Sequence, residues 1–201
     1  MRFAFIPWIA LSVVIVASAE PIETITRDIA LSARAQAESL HSLSGAITMQ
    51  RNARVAGNVE TGNGEIVLEA GSEVAGKLSN TTGTIRIDAA RVGGLVSTTY
   101  GDIYVGADSR LEGGILVHKR NVIGLSLGDD LKLGIPIGNA TPPRVVIGPR
   151  ATVAGVLRFK REVKLLVSES ATIGPVVGAT PVMFATEQPP DERASFGLDQ
   201  R

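Results

Sequence analysis

The stretch Val145-Val146-Ile147-Gly148-Pro149-Arg150-Ala151-Thr152-Val153-Ala154-Gly155-Val156-Leu157 decides the fold, because its spacing of apolar residues recurs along most of the chain. Counted from Val145, it carries aliphatic residues at 0 and +2, a small residue at +6, aliphatics at +8 and +12, and Gly at +10. The same template fits Ile47/Val55/Val59, Ile66/Val74/Leu78, Ile103/Leu111/Ile115, Leu125/Leu133/Ile137 and Leu165/Ile173/Val177. Ile85/Val92/Val96 fits after deletion of one residue. Starts therefore fall at 47, 66, 85, 103, 125, 145 and 165. Alternating aliphatics at a period near 20 mark a solenoid, since one coil cannot bury its apolar side and stacked coils make a continuous core. The expected fold is all-β: a single-stranded β-solenoid of seven to eight coils, each of 18 to 22 residues.

Composition agrees with thin coils. Gly makes up 22 of 201 residues and aromatics only 4%, so the core is built from Val, Ile and Leu rather than from large rings. Three corners recur: Thr61-Gly62-Asn63-Gly64, Asn80-Thr81-Thr82-Gly83 and Ser97-Thr98-Thr99-Tyr100-Gly101, each with Gly two residues before the next coil. A reversal there calls for positive φ, which Gly adopts freely. Their Thr and Asn side chains are expected to pair with neighbouring corners and satisfy backbone polar groups; a ligand-binding ladder is the competing reading.

Two segments outside the repeat are read differently. Residues 1–19 have the form of a secretory signal peptide: Arg2, an apolar run from Phe3 to Val16, and Ala17-Ser18-Ala19 as a small-x-small cleavage site. The run is short for a membrane span and contains Pro7. The expected location is periplasmic or secreted, with no transmembrane span once the leader is removed. Residues 22–43 admit two readings. Ile22, Ile25, Ile29, Ala33, Ala37 and Leu40 suit a capping helix, while Ile29-Ala30-Leu31 and the approach from Leu40 to Ile47 suit a degenerate first coil. The solenoid domain is placed at 20–182, and residues 183–201, without period or apolar stripe, are read as a disordered tail.

The rhythm breaks at 116–124 and at 138–144, where binding functions of solenoids concentrate. Basic residues gather nearby. His118, Lys119 and Arg120 take positions +15 to +17 of one coil, and Arg158, Lys160 and Arg161 take +13, +15 and +16 of a coil two rungs later. With rungs ~4.8 Å apart, the clusters lie about 10 Å from each other on one side. Arg144 and Lys164 extend the strip. On a chain with 20 basic and 20 acidic residues such a local strip suits an anionic envelope polymer or a partner protein rather than nucleic acid; a solvated charged face is the plainer alternative.

No catalytic, cofactor or metal site is expected. The chain has no Cys, which removes disulfides and Cys-based metal sites. Asp102, Asp108, Asp129 and Asp130 sit at turns, and the nearby aromatics are only Tyr100, Tyr104 and Phe159, a poor basis for a carbohydrate-active enzyme. Hexads such as Ile147-Gly148-Pro149-Arg150-Ala151-Thr152 look like those of left-handed hexapeptide-repeat acyltransferases, whose catalytic His has only His41 and His118 as counterparts here, neither in a coil with a paired acid.

The Thr-x-x-Gly-x-Ile corner with its Val-x-Gly-x-Leu half-coil, over residues 25–117, resembles exported bacterial adhesin-like right-handed β-helix proteins of uncharacterised function. Residues 145–174 also look like bactofilins, polymer-forming β-helix scaffold proteins. These resemblances imply a right-handed helix and either a binding surface or end-to-end self-association; the leader and the Pro142-Pro143 loop depart from bactofilins. Neither family supplies catalytic residues.

Overall fold

The computed structural model describes residues 21–119 and 141–185, together with the backbone of strands 13–15, 122–127 and 131–136. It is a β-solenoid of three parallel sheets, with no helix among the described residues. Each coil contributes one short strand to each sheet. The coil from Ile47 runs through Ile47–Met49 in the first sheet, Arg54–Val55 in the second and Val59–Asn63 in the third. It then turns a corner into Ile66–Leu68, which pairs in parallel with Ile47–Met49. The second sheet counts seven strands, so the stack has about seven turns.

Alternation fills the interior. Ile47, Met49, Val55 and Val59 point inward, with their counterparts Ile66, Leu68, Val74 and Leu78 stacked beside them, and all are buried. The small residue at +6 is the inward residue of the first corner: Ala53, Ser72, Ser109 and Ala151 are buried there. That corner also holds a ladder of left-handed backbone: Arg34 (φ 63°), Asn52 (60°), Gly71 (76°), Ala89 (45°), Asp108 (59°) and Arg150 (56°).

The two readings of residues 22–43 resolve in favour of a coil. Ile22–Thr24, Ile29–Leu31, Gln36–Ala37 and Leu40–Ser42 are strands in register with the following coils. Of the segment 1–19 read as a leader, Val13–Ile15 pairs in parallel with Ile29–Leu31, and the rest lies outside the described residues. Val182–Phe184, where the segment read as a tail begins, forms a strand on Leu166–Ser168; residues 186–201 lie outside the described residues.

The coil expected at Leu125/Leu133 does not exist. Val122–Leu127 and Leu131–Pro136 form an antiparallel hairpin in a sheet of its own, with Leu125 opposite Leu133. Ile103 pairs directly with Val145. Aliphatic residues at every second position serve a hairpin as well as a coil, and Gly128-Asp129-Asp130 between the two runs has the composition of a hairpin turn. The breaks at 116–124 and 138–144 are thus the two feet of one excursion.

The corner glycines are needed mainly for a reason other than φ. Among Gly64, Gly83 and Gly101 only Gly83 has positive φ (96°). A Cβ on Gly64 would strike the carbonyl oxygen of Gly45, one on Gly83 that of Gly64, and one on Gly101 that of Gly83. The Thr and Asn side chains stack as expected: Thr82 Oγ1 bonds Asn63 Oδ1 at 2.6 Å, Thr61 Oγ1 donates to the Gly45 carbonyl at 2.9 Å, and Asn80 Nδ2 donates to that of Gly83 at 2.9 Å.

Candidate functional site

Because the hairpin is an excursion rather than a rung, the basic clusters are closer than a 10 Å separation. Ile115–Val117 pairs directly with Leu157–Phe159, with Leu116 opposite Arg158. The ladder continues as the Lys160 N–H donates to the Val117 carbonyl at 2.9 Å, which brings His118 beside Lys160. Burial and the Lys160 charge both hold the His118 imidazole below its ordinary pKa, burial contributing more. Around the third corner, where each coil passes from the third sheet to the first, Arg144 and Lys164 are register partners.

The residues of the strip divide by what they touch. Lys119, Arg158, Lys160 and Lys164 are exposed, and His118, Arg144 and Arg161 half-buried. Arg120 lies outside the described residues. Arg161 is committed to structure: Nη1 donates to the Thr99 carbonyl at 3.1 Å and Nη2 to that of Thr141 at 3.3 Å, with the guanidinium 5.7 Å from the Tyr100 ring centre. It straps the returning foot of the excursion to the preceding corner. Asp102 is committed as well, accepting the Arg144 N–H at 2.7 Å. Between them lies a cleft of about 270 Å³ lined by Tyr100, Thr141, Pro142, Arg144 and Lys164. Nothing in the residue spacing announced the cleft, since it forms only when the chain returns from the hairpin to the stack.

The carboxylates and histidines of the described residues divide by the partners they meet. Asp108 binds Arg150, and this ion pair holds its carboxyl below the usual carboxylate range. His41 does meet an acid, Glu60 of the next coil, with Nδ1 3.6 Å from Oε2. The expectation that its coil holds no paired acid looked within one coil, and this partner stands on the next rung. Glu60 lies between His41 and Ser79 in the strand register, so the imidazole does not adjoin the hydroxyl as a nucleophilic triad requires. Asp129 and Asp130 lie outside the described residues. No group of three or more His, Asp or Glu able to hold a metal occurs among the described residues, and no helix there is long and apolar enough to cross a membrane. Comparison with known proteins finds no matching family model, no matching curated protein and no matching solved structure.

Proposed function

We propose that the chain is an exported, non-enzymatic cell-envelope protein whose rigid solenoid presents the third corner as a binding face for an anionic envelope polymer, in the manner of the adhesin-like β-helix proteins that its corners resemble. One observation carries this reading: parallel register gathers Lys160 beside His118 and Lys164 beside Arg144 around the foot of the excursion. A parallel stack holds such charges at fixed spacing, so a polyanion meets them without ordering them first. The test is calorimetric titration with an acidic polysaccharide. The protein carrying Lys119→Glu, Lys160→Glu and Lys164→Glu is expected to bind at least about tenfold more weakly, roughly 0.5–1 kcal/mol for each exposed charge. Equal binding by the two proteins refutes the reading. Arg161 is left intact in the variant because it braces the fold.

A second reading, a self-assembling scaffold like the bactofilins, draws on the C-terminal end. Val176–Val177 and Val182–Phe184 are the last strands of their sheets, and Val177, Val182 and Met183 are exposed there. Strand edges flanked by apolar residues favour stacking of a further coil. Sedimentation over a wide concentration range separates the readings: salt-resistant large species support the scaffold, and a monomer at all concentrations removes it.

A further inference from the structure

The first corner of the coil that starts at Ile85 is one residue short. Leu68 to Val74 and Val105 to Leu111 span six positions, whereas Ile87 to Val92 spans five, yet Val74, Val92 and Leu111 pair in register. Several coils close this corner with a hydrogen bond across the turn, from Ala53 N–H to the Gln50 carbonyl at 3.0 Å, from Ser72 N–H to that of Glu69 at 3.0 Å and from Ala151 N–H to that of Gly148 at 3.3 Å; the full-length corner at Ser109 does without it. The short corner has no such bond. Its Ile87 carbonyl accepts the Gly106 N–H at 2.7 Å, as the Leu68 and Val105 carbonyls accept those of Asp88 and Gly148 in the ladder, and also the Ser109 hydroxyl at 2.9 Å. The N–H groups of Ala89 and Ala90 donate to no group among the described residues.

The missing residue leaves a cleft of about 390 Å³, with Gly71 on one side and Asp108 on the other. Ser72 underlies it, 1% exposed, with its side chain turned into the core as in the other first corners and its hydroxyl closed to solvent. Arg91 and Arg110 line it too, opposite each other on neighbouring strands. Like charges in that relation repel unless something neutralises them. Of the carboxylates of the cleft, Glu73 stands opposite Arg91 in the register and meets Arg54 at 3.8 Å, and Asp108 is bound to Arg150 at 2.8 Å. Arg110 also meets Glu112 at 3.6 Å, at the side of the cleft, and Arg91 has no ion pair among the described residues.

We propose that this cleft is a binding site for one phosphate group, held by the Arg91 and Arg110 guanidinium forks and the Ala89 and Ala90 N–H groups. Two guanidinium forks and two backbone N–H groups offer more donors than the two oxygens of a carboxylate use, and suit the four oxygens of a phosphate better. The site is on a different corner from the basic strip and does not depend on the envelope-polymer reading.

The test titrates the full, ¹⁵N-labelled protein with inorganic phosphate at constant ionic strength, with acetate as the control. Saturable shifts of the Ala89 and Ala90 amides are expected with phosphate and not with acetate. Arg91→Gln with Arg110→Gln is expected to weaken phosphate binding about tenfold or more. Both substitutions are on exposed side chains, so the fold is retained. A Gly inserted between Ala89 and Ala90, restoring the common corner length, is expected to abolish the shifts. Absence of saturation at these amides, equal response to acetate, or an unchanged affinity in the double variant overturns the proposal.

Discussion

Asp108 and Arg150 are 42 residues apart in sequence and occupy the same left-handed position of the first corner in neighbouring coils, where Nε and Nη2 of the arginine each donate to the carboxylate at 2.8 Å. The pair shows the logic of the molecule: the stack, not the sequence interval, decides which residues meet. It also has a pH signature. Arg150 depresses the folded-state pKa of Asp108 below its ordinary 3.8, so the stabilisation is present above that value and is lost as pH falls through the folded-state pKa. Both side chains are more than half exposed, so the effect is small. Asp108→Asn is expected to lower Tm slightly at neutral pH, with the difference from the parent protein vanishing under strong acid. A difference that grows towards acid pH contradicts the assignment.

The hairpin is expected to be dispensable for the stack. Ile103 and Val145 pair as Ile85 and Ile103 do, and Leu111 and Val153 continue the second sheet without it. Replacing residues 120–140 by a flexible linker of about five residues should leave the β-sheet circular dichroism intact, with Tm within a few degrees of the parent, because shortening a surface connection changes closure entropy only modestly. Loss of cooperative unfolding would mean that these residues form a rung after all.

Gly101 tests the glycine stack. Its added Cβ would meet the Gly83 carbonyl, which is backbone and cannot rotate away. Gly101→Ala is expected to destabilise by about 1–3 kcal/mol in denaturant unfolding, the range for overpacking. Val156→Ala, at a side chain 40% exposed, should stay within about 0.5 kcal/mol. Equal effects of the two would remove close backbone approach as the reason for the glycines.

His118 reports on the register of the strip. Burial and Lys160 lower its pKa below 6.5 in the folded protein, so neutral imidazole is the form the fold accommodates. Stability from this group is therefore complete above 6.5 and declines as pH falls through 6.5 towards the folded-state value. Lys160→Gln is expected to raise the His118 pKa, read from its imidazole resonances, though not fully to 6.5, because burial remains. An unchanged pKa would show that Lys160 is not beside it.

Much of the stack was legible in the residues, and the reasons for the rest are specific. Ile47, Ile66 and Ile85 announce the first sheet because only an interior aliphatic recurs at that spacing with Val55, Val74 and Val92 behind it. Leu125 and Leu133 mislead because a two-residue period is shared by coil and hairpin. The left-handed ladder is hard to see in the sequence, since Gly71, Asn52 and Asp108 belong to residue types that tolerate that conformation, but Arg34, Ala89 and Arg150 adopt it under the pull of the stack. Charge marked Lys119, Arg158, Lys160 and Lys164 as a strip, but only the register separates them from Arg161, whose guanidinium serves the backbone.

The envelope-polymer reading stands or falls most directly on amide shift mapping of the protein titrated with an acidic polysaccharide. Expected are saturable, salt-sensitive shifts at His118, Lys119, Arg158, Lys160 and Lys164, around the foot of the hairpin. Saturable shifts confined to the other two corners, or none at any polymer concentration, would contradict it.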